Sequence, residues 1–203
     1  MRRIEHGARD VKCGTQNAGR RGRSVPLSAT RVVVSVVSIA SVVCAALAAQ
    51  VPRDSAGPPA PVRATTACTL TRVVDGDTIA CAGMGRVRLI GMDTPEASQR
   101  PFGAMATRAL AALLDSAATI ALEPDVEPRD RYGRTLAYVW ADSVMVNWAM
   151  VRRGYAVVLT YAPNVQWVDW FTAAQRAARE EEAGLWAVNG FECLPIDRRR
   201  GRC

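Results

Sequence analysis

Beyond residue 66 this chain never sustains a strand-forming run for more than eight residues, and an acid, a glycine or a proline follows each one. The runs are TLTRVV, TIACA, RVRLIGM, TIALE and RTLAYVWA. The first two flank Asp75-Gly76-Asp77, and Asp-Gly is a good hairpin corner. Between and after the runs lie segments with apolar residues at helical spacing. MATRALAALLDSA puts Leu110, Leu113 and Leu114 on one face, and VMVNWAMVRRG stops at Gly154, a left-handed cap. A third helix is predicted over 164–183, with Trp167, Trp170, Phe171 and Ala174 on its buried side. Strands this short must find partners quickly. Five of them with about three interspersed helices predict an α+β fold, a small β-barrel carrying helices, for which a five-stranded OB-type barrel is the economical choice. Periodicity alone does not give the barrel.

The formal charge of +7 points to a polyanion or a membrane as partner, but it is unevenly placed. Residues 1–48 hold eight basic and two acidic residues, net +6, whereas residues 49–203 hold eighteen arginines and seventeen acids, net +1. An anion site in the second part must therefore come from local clustering. That part contains no lysine, so each of its cations is a permanently charged, fork-shaped guanidinium. The single histidine is His6. Catalysis by Ser-His-Asp or Cys-His, and any zinc site that needs imidazole, are excluded from residues 60–203. Carboxylates, arginines and a hard metal remain.

Residues 32–49, VVVSVVSIASVVCAALAA, are apolar, follow a basic stretch and end in Ala46-Leu47-Ala48, a small-x-small pattern. Residues 1–48 therefore read as a signal peptide, with an uncleaved membrane anchor as the alternative; only the anchor would make a membrane a partner. A basic region of thirty-one residues is long for a leader and leaves the true start open. Residues 49–66, rich in proline, glycine and serine, read as a flexible linker. Either reading of the leader places the domain, 67–190, outside the cytoplasmic membrane, secreted or periplasmic in the first case. There Cys68, Cys81, Cys193 and Cys203 become disulfide candidates, with three pairings open. Their positions favour 68–81 across the DGDT hairpin and 193–203 closing a tail, 191–203; the alternative is free, buried thiols. Arg198 to Arg200 and Arg202 read as a solvated tail, or as one touching nucleic acid.

The chemistry lies in the acids at the strand ends. Asp77 follows the hairpin turn and Asp93 ends the strand that pairs beside it. Two carboxylates brought together repel unless a proton or cation intervenes, and an oxygen-only site suits calcium or another hard cation. Thr94 can add its carbonyl, and Glu96, beyond Pro95, can hold a water. Arg88 and Arg134, on other strands, suit a phosphate approached from two sides. A metal, a carboxylate base and two guanidiniums match phosphodiester hydrolysis. Taken singly each residue has a plainer role: Asp75 and Gly76 as turn residues, Asp93 and Glu96 as caps, Arg134 as the ion-pair partner of Asp130.

VVDGDTIA, VRLIGMDTPE, RDRYGRTLAYVWAD, MVNWAMVRRGYAVV and YAPN follow one another as in the thermonuclease, or staphylococcal-nuclease-like, family, which the chain resembles over about residues 68–187. The resemblance implies that Asp77 and Asp93 bind calcium with the Thr94 carbonyl. It implies that Glu96 is the general base and that Arg88 and Arg134 hold the phosphate and stabilise its developing charge. Arg131, Tyr132 and Tyr161 then lie near the bound nucleotide, and Asp130 supports them. The implied reaction is calcium-dependent hydrolysis of DNA and RNA to 3′-phosphates, by a monomer with an OB-type barrel and three helices. Leu159 stands where the staphylococcal enzyme has another tyrosine, and ASQRPFG is shorter than its counterpart loop. The rival expectation is a non-catalytic OB-type module that binds nucleic acid. Such a copy would have lost some of Asp77, Arg88, Asp93, Glu96 and Arg134, and all five are present.

Overall fold

A computed structural model describes residues 57–203. The expected leader and cleavage site, and His6, lie outside the described residues. Strands β1 (Thr66–Ala67), β2 (Leu70–Val73), β3 (Thr78–Cys81), β4 (Gly85–Leu89) and β5 (Gly91–Asp93) come first, followed by helix α1 (Phe102–Asp115). Then follow β6 (Ile120–Glu123), β7 (Thr135–Ala141), β8 (Val144–Met145), α2 (Val146–Arg152), β9 (Val157–Leu159), α3 (Val168–Glu180), a 3-10 turn over Gly184–Val188, and α4 (Pro195–Arg199). The main sheet runs β1-β6-β7-β4-β3-β2, with β8 on β7 and only β4–β7 parallel; β5 and β9 form a second, antiparallel pair. This mixed sheet with its helices is the OB-type α+β architecture expected.

Alternation explains β4: Val87 and Leu89 are buried, Arg86 is exposed and Arg88 is half-buried. The run RVRLIGM does not continue as one strand. Gly91 has φ +80°, and a Cβ there would stand 2.3 Å from the Phe171 ring. Only glycine allows that turn at that closeness. The kink at Ile90–Gly91 moves the chain from the main sheet to β9, so Asp93 ends a different strand from the one that carries Arg88. Asn147 pins the kink: its Nδ2 donates to the carbonyls of Ile90 and Ala137, and its Oδ1 accepts from Val139 N–H at 2.7 Å.

The helices differ from the sequence expectation at their starts. Helix α1 begins at Phe102 rather than Met105, immediately after Pro101. Helix α3 begins at Val168 rather than near 164, because Asn164 is used elsewhere. Its buried amide both accepts from and donates to the Glu127 backbone, anchoring the loop before β7. Helix α2 ends at Arg152, and Gly154, φ +72°, stops it just beyond as expected. Ile79, Val87, Leu89, Leu110, Tyr138, Met150 and Phe171 meet between the sheet and the helices, each fully buried.

Residues 57–66, read as part of a flexible linker, lie against the domain. Gly57 packs on the Trp148 ring, and the backbone N–H groups of Val62 and Arg63 donate to Glu123 Oε1. Glu123, fully buried, also accepts from Gln166 Nε2 and Trp140 Nε1, so its two oxygens are satisfied by four donors. Disulfides join Cys68 to Cys81 across β2–β3, and Cys193 to Cys203 in the tail. Among the described residues no helix is long and apolar enough to cross a membrane.

Candidate active site

The β2–β3 turn and the end of β5 meet at one edge. Gly76 makes that approach possible. Its φ lies outside the left-handed region, so it is not the glycine corner of a two-residue hairpin, but a Cβ there would stand 2.6 Å from Thr94 Oγ1. Asp77 is held from both sides: Thr78 Oγ1 donates to Oδ1, and Thr94 donates to Oδ2 through its N–H and its hydroxyl, the latter at 3.1 Å. Asp75 accepts from Asp77 N–H and is a turn residue. Burial first, and then the neighbouring Asp77 charge, push the Asp75 carboxyl up.

Arg88 joins the two acids. Its Nη2 lies 3.1 Å from Asp77 Oδ2 and 3.1 Å from Asp93 Oδ1, while Nη1 donates to the Leu89 carbonyl at 2.8 Å. Asp93 is fully buried. Burial raises its carboxyl above the ordinary aspartate value, with a smaller push from Asp77; Arg199 and Arg88 pull the other way without cancelling this. Glu96 follows at the rim, half-exposed, its N–H donating to Gln99 Oε1. The Glu96 carboxylate does not stand alone: Arg199 Nη1 is 2.5 Å from Glu96 Oε1, and Arg199 Nη2 is 2.6 Å from Asp93 Oδ2. The outcome is a continuous chain of alternating charge, Asp77–Arg88–Asp93–Arg199–Glu96.

A second group occupies the turn before β7. Asp130 accepts from the N–H groups of Tyr132 and Arg134, each at 2.9 Å, and pairs with Arg134 Nε at 2.7 Å. Burial alone would raise Asp130, but these bonds override it and hold the carboxyl below its ordinary value. Arg131 lies over the Tyr132 ring at 4.8 Å, and Arg134 over the same ring at 5.8 Å. Among the described contacts none links Arg134 to Asp77, Asp93 or Glu96. The register nevertheless places Arg134 next to Thr135, which faces Val87, beside the Arg88 strand. Tyr161 is exposed, on the bridge to Asn164, and Leu159 pairs with Gly91. The structure thus brings Asp77, Arg88, Asp93, Thr94 and Glu96 together and collects Arg131, Tyr132 and Arg134 separately.

Sequence reasoning missed Asn147, Gln99 and Arg199. A polar residue inside the apolar helix VNWAMV was a readable sign for the first, since a buried amide must find partners. Gln99 and Arg199 carry no comparable signal; Arg199 lies 103 residues from Glu96 in sequence. It also corrects the solvated-tail expectation at that position, because two carboxylates offer it better partners than water. Arg198 and Arg202 stay within the tail, on the Cys203 carbonyl and Asp197.

The donors at this edge suit a hard cation: carboxylate oxygens of Asp77 and Asp93, with the Thr94 hydroxyl on Asp77 and, among the described residues, no sulfur or imidazole in the contacts. Among the described residues no group of three or more His, Cys, Asp or Glu side chains is placed to hold a metal. A cation here would thus take few protein ligands and complete its shell with water or substrate oxygen.

A family model described as Staphylococcal nuclease homologue matches residues 86–188, from just before Arg88 to beyond α3. The chain is 39% identical over 123 residues to the thermonuclease of Staphylococcus intermedius, covering 57% of this chain and 73% of that protein. It is 36% identical over 124 residues to the thermonuclease of Staphylococcus hyicus, with the same coverage, 57% and 73%. With the SPbeta prophage-derived endonuclease YokF of Bacillus subtilis (strain 168) it shares 36% identity over 133 residues, 61% of this chain but 45% of that one. With the fold, the edge of paired acids and arginines, and these relatives in agreement, this chain belongs to the staphylococcal nuclease homologue family.

Proposed function

We propose that this nuclease is an exported, calcium-dependent enzyme that hydrolyses the phosphodiester bonds of DNA and RNA and leaves 3′-phosphate ends. The observation that carries the reading is the convergence of Asp77 and Asp93 on one guanidinium, with Glu96 one residue pair away. Asp77, Asp93 and the Thr94 carbonyl are the groups that would hold calcium. When bound, the ion would supply positive charge to a phosphate oxygen beside it. Glu96 accepts the proton of the attacking water, and its carboxylate lies half-exposed at the rim beside Arg199. Arg88 offers a planar fork beside both acids, and a fork matches two phosphate oxygens better than an ammonium does. Arg134 is engaged by Asp130 through the inner nitrogen Nε, so its terminal nitrogens are the ones that serve a phosphate. Tyr132, fixed on that turn, and Tyr161 offer ring faces to the nucleotide. Export rests on the apolar segment 32–49 and on the two disulfides, which persist in oxidising surroundings.

The test is cleavage of end-labelled single-stranded DNA and RNA by the full chain, in calcium and then in excess EGTA. Cleavage in calcium alone, with 3′-phosphate termini, is expected. Binding of the oligonucleotide without cleavage, with both disulfides intact, would instead favour a non-catalytic module.

A further inference from the structure

The C-terminal segment reaches the same edge on a built support. Phe191 and Leu194 pack with Phe102 and Met105 of α1, and the Cys193–Cys203 bond closes the chain around α4. Gln99 connects this support to the Glu96 loop: its Oε1 accepts from Glu96 N–H while its Nε2 donates to the Cys193 carbonyl at 3.1 Å. From there Arg199 spans Asp93 Oδ2 and Glu96 Oε1. Arg88 takes Asp93 Oδ1, so each oxygen of the buried carboxylate carries a guanidinium. An arginine cannot yield its place by losing a proton. It can yield by swinging outward, and the Arg199 side chain is 37% exposed, at the rim.

We propose that Arg199 is a tethered latch: a guanidinium held in place by the Cys193–Cys203 loop that competes with the metal for Asp93 and restrains Glu96 in the resting enzyme. The inference rests on the reading of Asp93 as a metal ligand. Binding must first displace the latch, so the apparent calcium affinity is the intrinsic one reduced by the fraction of molecules with the latch open. A latch closed about nine times in ten makes the apparent Kd roughly tenfold weaker. The tether sets the local concentration of the competing cation, and opening the loop lowers it. The Arg199–Glu96 contact, exposed on both sides, is the part that salt screens, so that share of the effect shrinks as ionic strength rises.

The experiment is a calorimetric titration of Ca²⁺ into the full chain, comparing wild type with Arg199→Gln, Cys193→Ser/Cys203→Ser and Arg200→Gln. Roughly tenfold tighter binding is expected in R199Q and a smaller shift in the same direction in the double serine variant. R200Q, which removes one charge from the residue that follows the same short helix, should titrate like wild type. R199Q should also reach half-maximal hydrolysis at lower calcium. Equal tightening in R199Q and R200Q would overturn the latch in favour of a general charge effect. An unchanged Kd in R199Q with a lower kcat would overturn it in favour of Arg199 as a positioning residue for Glu96. Saturable calcium binding that is the same in all four chains would overturn the latch alone. No saturable binding in any of them would overturn the metal reading as well.

Discussion

Asp93 is fully buried, yet two guanidiniums and a second carboxylate surround it. The arginines keep a charge tolerable there that burial alone would push towards protonation. Arg88 makes this possible through several simultaneous bonds, to Asp77, Asp93 and the Leu89 and Met92 carbonyls. Lysine has one nitrogen and cannot serve them together. Arg88→Lys should therefore lower kcat/KM by roughly 10²-fold or more; a value within a few-fold of wild type would show that the fork is not needed. At Gly76 the demand is for space. Gly76→Ala would drive a Cβ into Thr94 Oγ1 and Ala106, and should destabilise the fold by about 1–3 kcal/mol in thermal or denaturant melts. That the acids and Arg88 meet at one edge was legible because DGDT and DTPE lie at strand ends and follow one another as in the family the chain resembles. Arg199 was not legible, since nothing local records which surface a closed tail will meet.

At the scale of elements, the turn before β7 is a unit built on Asp130. Its carboxyl organises Tyr132 and Arg134 together, and its folded value lies below the ordinary 3.8. The stability it contributes is present above that value and lost as pH falls through the lower, folded one. Asp130→Asn should lower the melting temperature at neutral pH, by an amount worth up to about 1 kcal/mol because the pair is part-exposed. The gap from wild type should close as the pH drops below 3.8. A gap independent of pH would mean that the carboxylate charge has no part in it. Strands β2, β3, β4, β6 and β7 of the main sheet were readable from β-rich runs and their breakers. The kink between β4 and β5 was not, because Gly91 is required by Phe171, eighty residues on in the chain. The two- and three-residue strands β1, β8 and β9 are too short to show a period at all.

On the scale of the whole molecule, the chain brings three distant segments to one edge: the β2–β3 turn, the β5 end with its following loop, and the C-terminal tail. The first is stapled by Cys68–Cys81 and the third by Cys193–Cys203. With the described domain nearly neutral, attraction of a polyanion should come from these local arginines, not from overall charge. In the proposed reaction this edge performs hydrolysis with Glu96 as its base. The most direct measurement is single-turnover cleavage of single-stranded DNA by Glu96→Gln in the full chain, with calcium binding titrated in parallel. A rate lower by ~10²–10⁴-fold with calcium binding retained is the predicted result. An undiminished rate would contradict it and move the base elsewhere.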